Sequence, residues 1–292
     1  MGKSLGWKRG LTRTIGPEQE AKLVVQQGYR LHGPGRGPAN TVVVHGGPGA
    51  PGSAVGMAQI LAETRDVLEP FQTAMTLEGQ IQELHSMLLE RAALPVILVG
   101  HSWGAMLSFL VAARYPGSVR KLILVASGVF SEAHAGEIMN TRMQRLSPEK
   151  KAEAESLLQR MHEPGQTDPN EVMRGFGRLM TEADCFLPLS LDTGCLEYRL
   201  DQFQSVWPEM REHRASGALL SQGKSIRCPV VAMHGDYDPH PVPGIRDPLQ
   251  GVVKDFRMQV LKDCGHYPWL ERRARDAFCE LMQEEIGVER TT

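Results

Sequence analysis

The sequence of 292 residues predicts an α/β fold: a mostly parallel sheet flanked by helices, with an inserted helical cap. Three observations predict it. Short apolar, β-branched runs alternate with helical stretches at both ends of the chain, the rhythm of parallel strands joined by crossover helices. Gly100-His101-Ser102-Trp103-Gly104 stands between an apolar run, Pro95 to Val99, and a good helix, Ala105 to Ala113, so a strand turns sharply into a helix there. From Ser131 to about Ser225 no run reads as a strand, while helix starts recur.

In chain order, residues 1–28 are weakly patterned, although Pro17-Glu18-Gln19-Glu20 can start a short helix. His32 to Pro38 is one breaker after another and reads as turns. Thr41 to Val44 is a buried parallel strand ending in His45-Gly46-Gly47-Pro48-Gly49, and a weaker strand follows near Asp66 to Leu68. Thr76 can cap a helix whose Leu77, Ile81, Leu84 and Leu88 share a face. Strands at 96–99 and 122–125 enclose the Ser102 turn and its helix. In the insertion, Ser147-Pro148-Glu149 and Asp168-Pro169-Asn170-Glu171 are helix starts, the second with proline at the first position and glutamate at the third. Strands resume at Cys228 to His234 and Phe256 to Leu261, and an amphipathic helix runs from about Glu271 to Ile286. The expected division is therefore a core of 1–130 and 226–292 and a helical cap (lid) of 131–225.

Composition narrows the function. A hydrophobic fraction of 41% with 23% charged residues describes an ordinary globule with a sizeable core. A net charge of −2 gives no electrostatic reason for a nucleic-acid or anionic-membrane partner. The densest basic cluster, Arg272-Arg273-Ala274-Arg275, reads as a solvated helix face. No apolar run approaches a membrane span, and the N-terminal residues have no apolar segment typical of a secretory signal. The five cysteines are scattered without a C-x-x-C, as expected of reduced thiols in a cytoplasmic protein.

The chemistry starts at Ser102. A G-x-S-x-G on a strand-to-helix turn lifts the serine hydroxyl above the sheet, and the Trp103 N–H at the helix start is a donor for an oxyanion. The Gly47 N–H, on the glycine-rich loop after another strand, is the second expected donor. A serine nucleophile needs a base and an orienting acid. His266 lies just past the last strand and Asp238 just past the one before it, where parallel sheets place their sites. Asp238 is preferred to Asp236, which stands directly after the strand and reads as a turn brace. His45, His101 and His234 are expected to be buried and hydrogen-bonded; Phe203 and Trp207 could line a pocket, but packing in a core is the first reading.

With these residues in view, the chain resembles the α/β-hydrolases, and within them the proline iminopeptidase branch. His45-Gly46-Gly47-Pro48-Gly49 and the tryptophan after the nucleophile, Trp103, carry the narrower likeness, and Gly235-Asp236-Tyr237-Asp238 and Gly265-His266 the wider one. The likeness covers roughly 29–130 and 226–290. It departs from the branch at His101, usually glycine, and at Glu69 to Thr76, usually D-Q-R-G-x-G-x-S.

The resemblance implies a serine hydrolase working through an acyl-enzyme, with an aminopeptidase acting on small N-terminal aminoacyl substrates as the first reading. A carboxylesterase for small acyl esters is the alternative, and a non-catalytic ligand-binding homologue the second. The expected partner is a small ester or a short peptide. Neither cofactor nor metal is expected: there is no H-E-x-x-H, and Gly223-Lys224-Ser225 lacks the first glycine of a phosphate loop. The sequence specifies no oligomeric state. An aminopeptidase needs a carboxylate for the substrate ammonium, and Glu197, Asp201 and Glu209 are the candidates.

Overall fold

A computed structural model describes residues 28–35, 37–165 and 167–287 of the chain. The Pro17 helix start lies outside them. The chain runs β1 (Tyr29–His32), β2 (Ala39–Val44), α1 (Val55–Ala62), β3 (Val67–Pro70), α2 (Leu77–Arg91), β4 (Ala92–His101), α3 (Trp103–Arg114) and β5 (Val119–Val125). Five helices then follow without a strand: α4 (Glu132–Arg145), α5 (Pro148–Met161), α6 (Pro169–Asp184), α7 (Leu200–Ala215) and α8 (Ala218–Ser221). After β6 (Val230–Gly235) come α9 (Pro243–Gln250), β7 (Phe256–Leu261) and α10 (Arg275–Ile286).

The strands form one sheet in the order β1-β3-β2-β4-β5-β6-β7. All neighbours are parallel except the edge pair, where β1 runs antiparallel to β3. Strands alternate faces every residue, so a strand covered on both sides must be apolar throughout. β2 shows this: Val42 and Val44 enter the core with α2 and α3, while Val43 enters the opposite core with α1 and α10. Leu98 and Val99 of β4 divide in the same way.

The helices between β5 and β6 have a third apolar cluster of their own, including Leu157, Val172, Leu179 and Met180. Their starts are chemically marked. Ser147 Oγ accepts the Lys150 N–H, Asp168 Oδ1 accepts the Glu171 N–H, and proline occupies the first turn of both helices. Among the described residues no helix is long and apolar enough to cross a membrane.

Outside the helical insertion three elements escape the sequence patterns, β1, α1 and α9, and within it α4, α7 and α8 have no start marked in the sequence. The last helix also starts later than expected, at Arg275. Arg272, Arg273 and Arg275 are exposed, as expected, although the first two precede the helix, while the neighbouring Glu271 is fully buried.

Candidate active site

Register builds the elbow. β2 and β4 pair with Val43 opposite Val99 and Val44 opposite Gly100, which sets the His45 to Gly49 loop beside the turn leaving β4. The Ser102 N–H donates to Val125 O at 3.0 Å, carrying the ladder one residue past β4, and α3 begins at Trp103. Between them Ser102 adopts φ 54° and ψ −115°, a conformation that costs a side-chain-bearing residue about 1–3 kcal/mol. The two flanking glycines permit it. A Cβ on Gly104 would collide with the carbonyl oxygens of Val44 and His45, and one on Gly100 with the Gly104 carbonyl. The Trp103 N–H is the first amide of α3, where a helix leaves its donors unpaired and its dipole favours negative charge.

β6 and β7 end side by side, Gly235 opposite Leu261, so the loops carrying Asp238 and His266 leave the same edge of the sheet. Asp236 braces them: its N–H donates to Leu261 O at 2.9 Å and its carboxylate accepts the Cys264 N–H at 3.3 Å. Asp238 is the acid that faces the histidine, with Oδ2 2.7 Å from His266 Nδ1. The other oxygen, Oδ1, accepts from the His240 N–H at 2.8 Å and from His240 Nδ1 at 2.7 Å. His234 Nε2 donates to His240 O at 2.7 Å and lies 3.4 Å from Asp238 Oδ2.

Burial alone would raise the Asp238 carboxyl, but the imidazoles of His266, His234 and His240 outweigh it and hold it well below the usual carboxylate range. Burial pulls His240 down to about 4 against the attraction of Asp238, so its ring is neutral at physiological pH. His101 donates from Nε2 to His266 O at 2.9 Å, and burial, with His266 nearby, lowers it well below the usual range. His45 donates from Nδ1 to Gly46 O at 2.7 Å. The three strand-end histidines are thus buried and bonded, as expected. The potential ligand atoms of Asp238, His240 and His266 lie within 4.8 Å of one another. The bonds from both Asp238 oxygens to the two imidazoles account for that grouping without an ion.

Sequence reasoning missed His240 and Glu271. The signal for the first is its place two residues after Asp238, the spacing at which an aspartate bonds backbone just ahead of it. Glu271 gives no such signal. Its carboxylate accepts the N–H groups of Phe186 and Leu187, each at 2.7 Å, and of Gly265 at 2.9 Å. It therefore ties the residue before His266 to the chain leaving α6. The His266 N–H reaches the same region, donating to Asp184 O at 2.9 Å.

Ser102 and His266 line one cavity of about 160 Å³ beneath the helices, together with Gly47. Its far walls include Met161, Met173, Phe176, Met180 and Phe203. Asp184 is the one carboxylate on its wall among the described residues, and both of its oxygens are taken by Arg142, at 2.7 Å each. Ser102 and Gly47 also border a second cavity of about 370 Å³ between α4 and α7.

The expected acidic pocket is not there. Glu209 accepts the Leu77 N–H at 2.7 Å, Asp201 accepts the Gln202 N–H at 2.8 Å, and Glu197 lies 3.9 Å from Arg199; none lines either cavity. Helical phase explains the two on α7. Asp201 and Glu209 stand two positions from Phe203 and Trp207, about 200° around the helix. Phe203 and Trp207 take the cavity side instead, so they line the site as well as packing against its neighbours.

A serine on a strained turn, an imidazole anchored to a buried carboxylate, and amides at a helix start form an arrangement able to carry out acyl transfer. Among curated proteins, the chain is 22% identical over 208 residues to monoacylglycerol lipase ABHD6 from Homo sapiens, covering 70% of this chain and 59% of that relative's length. The solved structure of VinJ superposes with a TM-score of 0.61 at 19% identity, covering 88% of this chain and 93% of VinJ. Proline iminopeptidase from Mycobacterium smegmatis does so with a TM-score of 0.57 at 19% identity, with the same coverage of 88% and 93%. At such identities the likeness to solved structures shows the fold alone. Residues 29–281 match the sequence profile of the alpha/beta hydrolase family, and over that span the seven-stranded, mostly parallel sheet carries the elbow where β4 meets α3. The chain belongs to the alpha/beta hydrolase family.

Proposed function

We propose that the protein is a serine hydrolase that cleaves carboxylic esters of apolar acyl groups through an acyl-enzyme. The observation that carries this reading is Ser102, at φ 54° on the strand-to-helix turn, sharing a cavity with a His266 whose Nδ1 is 2.7 Å from Asp238. His266 Nε2 takes the Ser102 proton as Oγ attacks the carbonyl carbon. The amides of Trp103 and Gly47 hold the oxyanion, and Asp238 fixes the imidazole and stabilises its charged form. The leaving alcohol takes the proton from His266. Water then gives a proton to the same nitrogen, attacks the acyl carbon and releases the acid, restoring Ser102. Residues 131–225 act as the cap that covers the pocket and excludes bulk water.

The cavity favours an ester over an aminoacyl substrate. The Met and aromatic walls of both cavities suit apolar groups, and the carboxylate on each is already paired, Asp184 with Arg142 and Glu132 with Arg214. An incoming ammonium would have to break one of those pairs.

A fluorophosphonate probe tests the nucleophile: one adduct on the wild type and none on Ser102→Ala is the expected result. A substrate panel tests the class. Ethyl and aryl esters of medium-chain acids should be cleaved, and a prolyl arylamide should be no better a substrate than its N-acetyl form. Preference for the free amine would restore the aminopeptidase reading. Labelling that persists in Ser102→Ala would end both.

A further inference from the structure

The cavity between α4 and α7 is built by two facing helical stripes. Phe203, Trp207, Arg211 and Arg214 on α7 follow one another at helical spacing, and Glu132, Ala135, Met139 and Arg142 do so on α4. The helices run in opposite senses across it. At one end Arg142 and Phe203 also line the smaller cavity of Ser102; at the other Arg214 donates from Nε to Glu132 Oε2 at 2.6 Å. Phe203 and Arg214 stand eleven positions apart on α7, a rise of about 16 Å. The groove thus starts at the nucleophile, passes apolar side chains and ends among guanidinium groups.

That far end has unused donors. Arg214 has a side chain only 5% exposed, yet its Nε bond to Glu132 leaves both Nη groups without a protein acceptor among the described residues. A buried guanidinium whose fork stands open to a cavity is matched by a planar, two-oxygen anion. Arg211, on the same stripe, pairs with no carboxylate among the described residues. The other charges in the groove are settled: Arg142 is held by Asp184 and Glu132 by Arg214, while burial keeps His240 neutral. One positive charge is left over, at the end remote from Ser102.

We infer that the groove binds a substrate carboxylate: the natural ester carries an apolar acyl chain ending in a carboxylate that Arg214 and Arg211 receive. This rests on the serine-esterase reading above. The acyl side is assigned to the groove because His266, which must protonate the leaving alcohol, lines the smaller cavity and not this one. The alcohol therefore departs through the smaller cavity, and the acyl chain lies along α7. The bonds made and broken are those of the ester hydrolysis already described; the products are the alcohol and a dicarboxylic acid.

The test compares monoethyl suberate with ethyl octanoate, equal in chain length but differing in the terminal carboxylate. The wild type should favour the hemiester in kcat/KM by roughly tenfold or more, as expected for hydrogen bonds to a charged group. Arg214→Met should reverse that ratio, chiefly through KM, and monoethyl succinate, too short to span the groove, should lose the advantage. Arg211→Gln, at an exposed position, and Arg214→Lys, which keeps charge but not the fork, should each reduce the ratio; they decide the matter if Arg214→Met does not fold. A wild-type ratio at or below one, or a ratio unmoved by these variants, overturns the inference while ester cleavage by Ser102 still stands. If no ester is cleaved, the esterase reading fails, and calorimetric titration of the wild type with suberate decides this one. Binding lost in Arg214→Lys supports the anion site, and no binding to the wild type overturns it.

Discussion

His240 and His266 lie face to face, ring centroids 4.6 Å apart and planes 22° from parallel, and both bond through Nδ1 to the same carboxylate, Asp238. One aspartate thus orients the proposed base and a second, neutral imidazole. The second ring occupies the Asp238 oxygen that water would otherwise solvate. With His234 behind it, this shell keeps Asp238 ionised and fixed while buried.

This arrangement makes stability depend on pH. Burial lowers the basicity of His45, His101, His234 and His240, the last from 6.5 to about 4. Below about pH 6.5 the unfolded chain takes up protons that the folded chain refuses, so stability present above that pH is lost toward pH 4. His240 alone should account for about 2 kcal/mol between pH 7 and pH 5. Asp238 acts at lower pH, its contribution fading only below its ordinary value of 3.8. Urea melts of wild type and His240→Gln at pH 7 and pH 5 check this: the wild type should lose more over the interval. Equal losses would show that the His240 ring is not held neutral.

The elbow gives a steric prediction. Gly104→Ala puts a methyl group against the Val44 and His45 carbonyls, backbone atoms that cannot move without opening the sheet. The expected cost is about 3 kcal/mol or more, read as a large drop in Tm or in soluble yield. Gly217→Ala is the control. Its φ is 77° but nothing stands near the new methyl, so backbone strain of about 1 kcal/mol is all it should add.

The sheet and the proposed triad were legible because each rests on a local rule. Val42 to Val44 and Leu122 to Val125 are apolar because both faces are covered. Ser102 and Asp238 follow strands of that kind, and His266 follows β7, an edge strand with Arg257 and Gln259 among its apolar residues. β1 was not legible: it is an edge strand of only four residues, Tyr29–His32, too short for its alternation to stand out, and its Leu31 is exposed. The three acids show a different limit. Their closeness in sequence suggested a shared pocket, but pockets are set by helical phase, and Phe203 and Trp207 had taken the inward positions. Glu271 shows a third. Charge-rich surroundings read as solvent-facing, whereas its carboxylate binds amides from a segment some 85 residues away.

Asp238 and Asp236 should separate by effect. Asp238→Asn keeps the shape but cannot hold the His266 ring in the same way, and turnover should fall by up to about 10⁴-fold in folded protein. Asp236→Asn weakens one 3.3 Å bond to the Cys264 N–H and should lower Tm with little change in kcat. Steady-state kinetics on an ester, alongside thermal melts, measure both. The reverse ranking would reassign the acid.

Glu271 should couple stability to the histidine loop. Its carboxylate accepts three backbone N–H groups, two from Phe186 and Leu187 and one from Gly265, which directly precedes His266. Glutamine offers a single carbonyl oxygen and an NH2 that would confront at least one of those donors. A buried amide left without an acceptor costs about 1–3 kcal/mol. The bonds lost also anchor the loop, where a Cβ on Gly265 would already collide with the Asp184 carbonyl. Glu271→Gln should therefore lower the urea midpoint and also reduce kcat in the protein that remains folded, because the His266 ring is held from Asp238 on one side and from this loop on the other. Hydrogen exchange locates the effect: the amides of Phe186, Leu187 and Gly265 should lose protection more than those of β4. Uniform loss across the sheet, with kcat unchanged per folded molecule, would mean that Glu271 stabilises the fold without positioning the histidine.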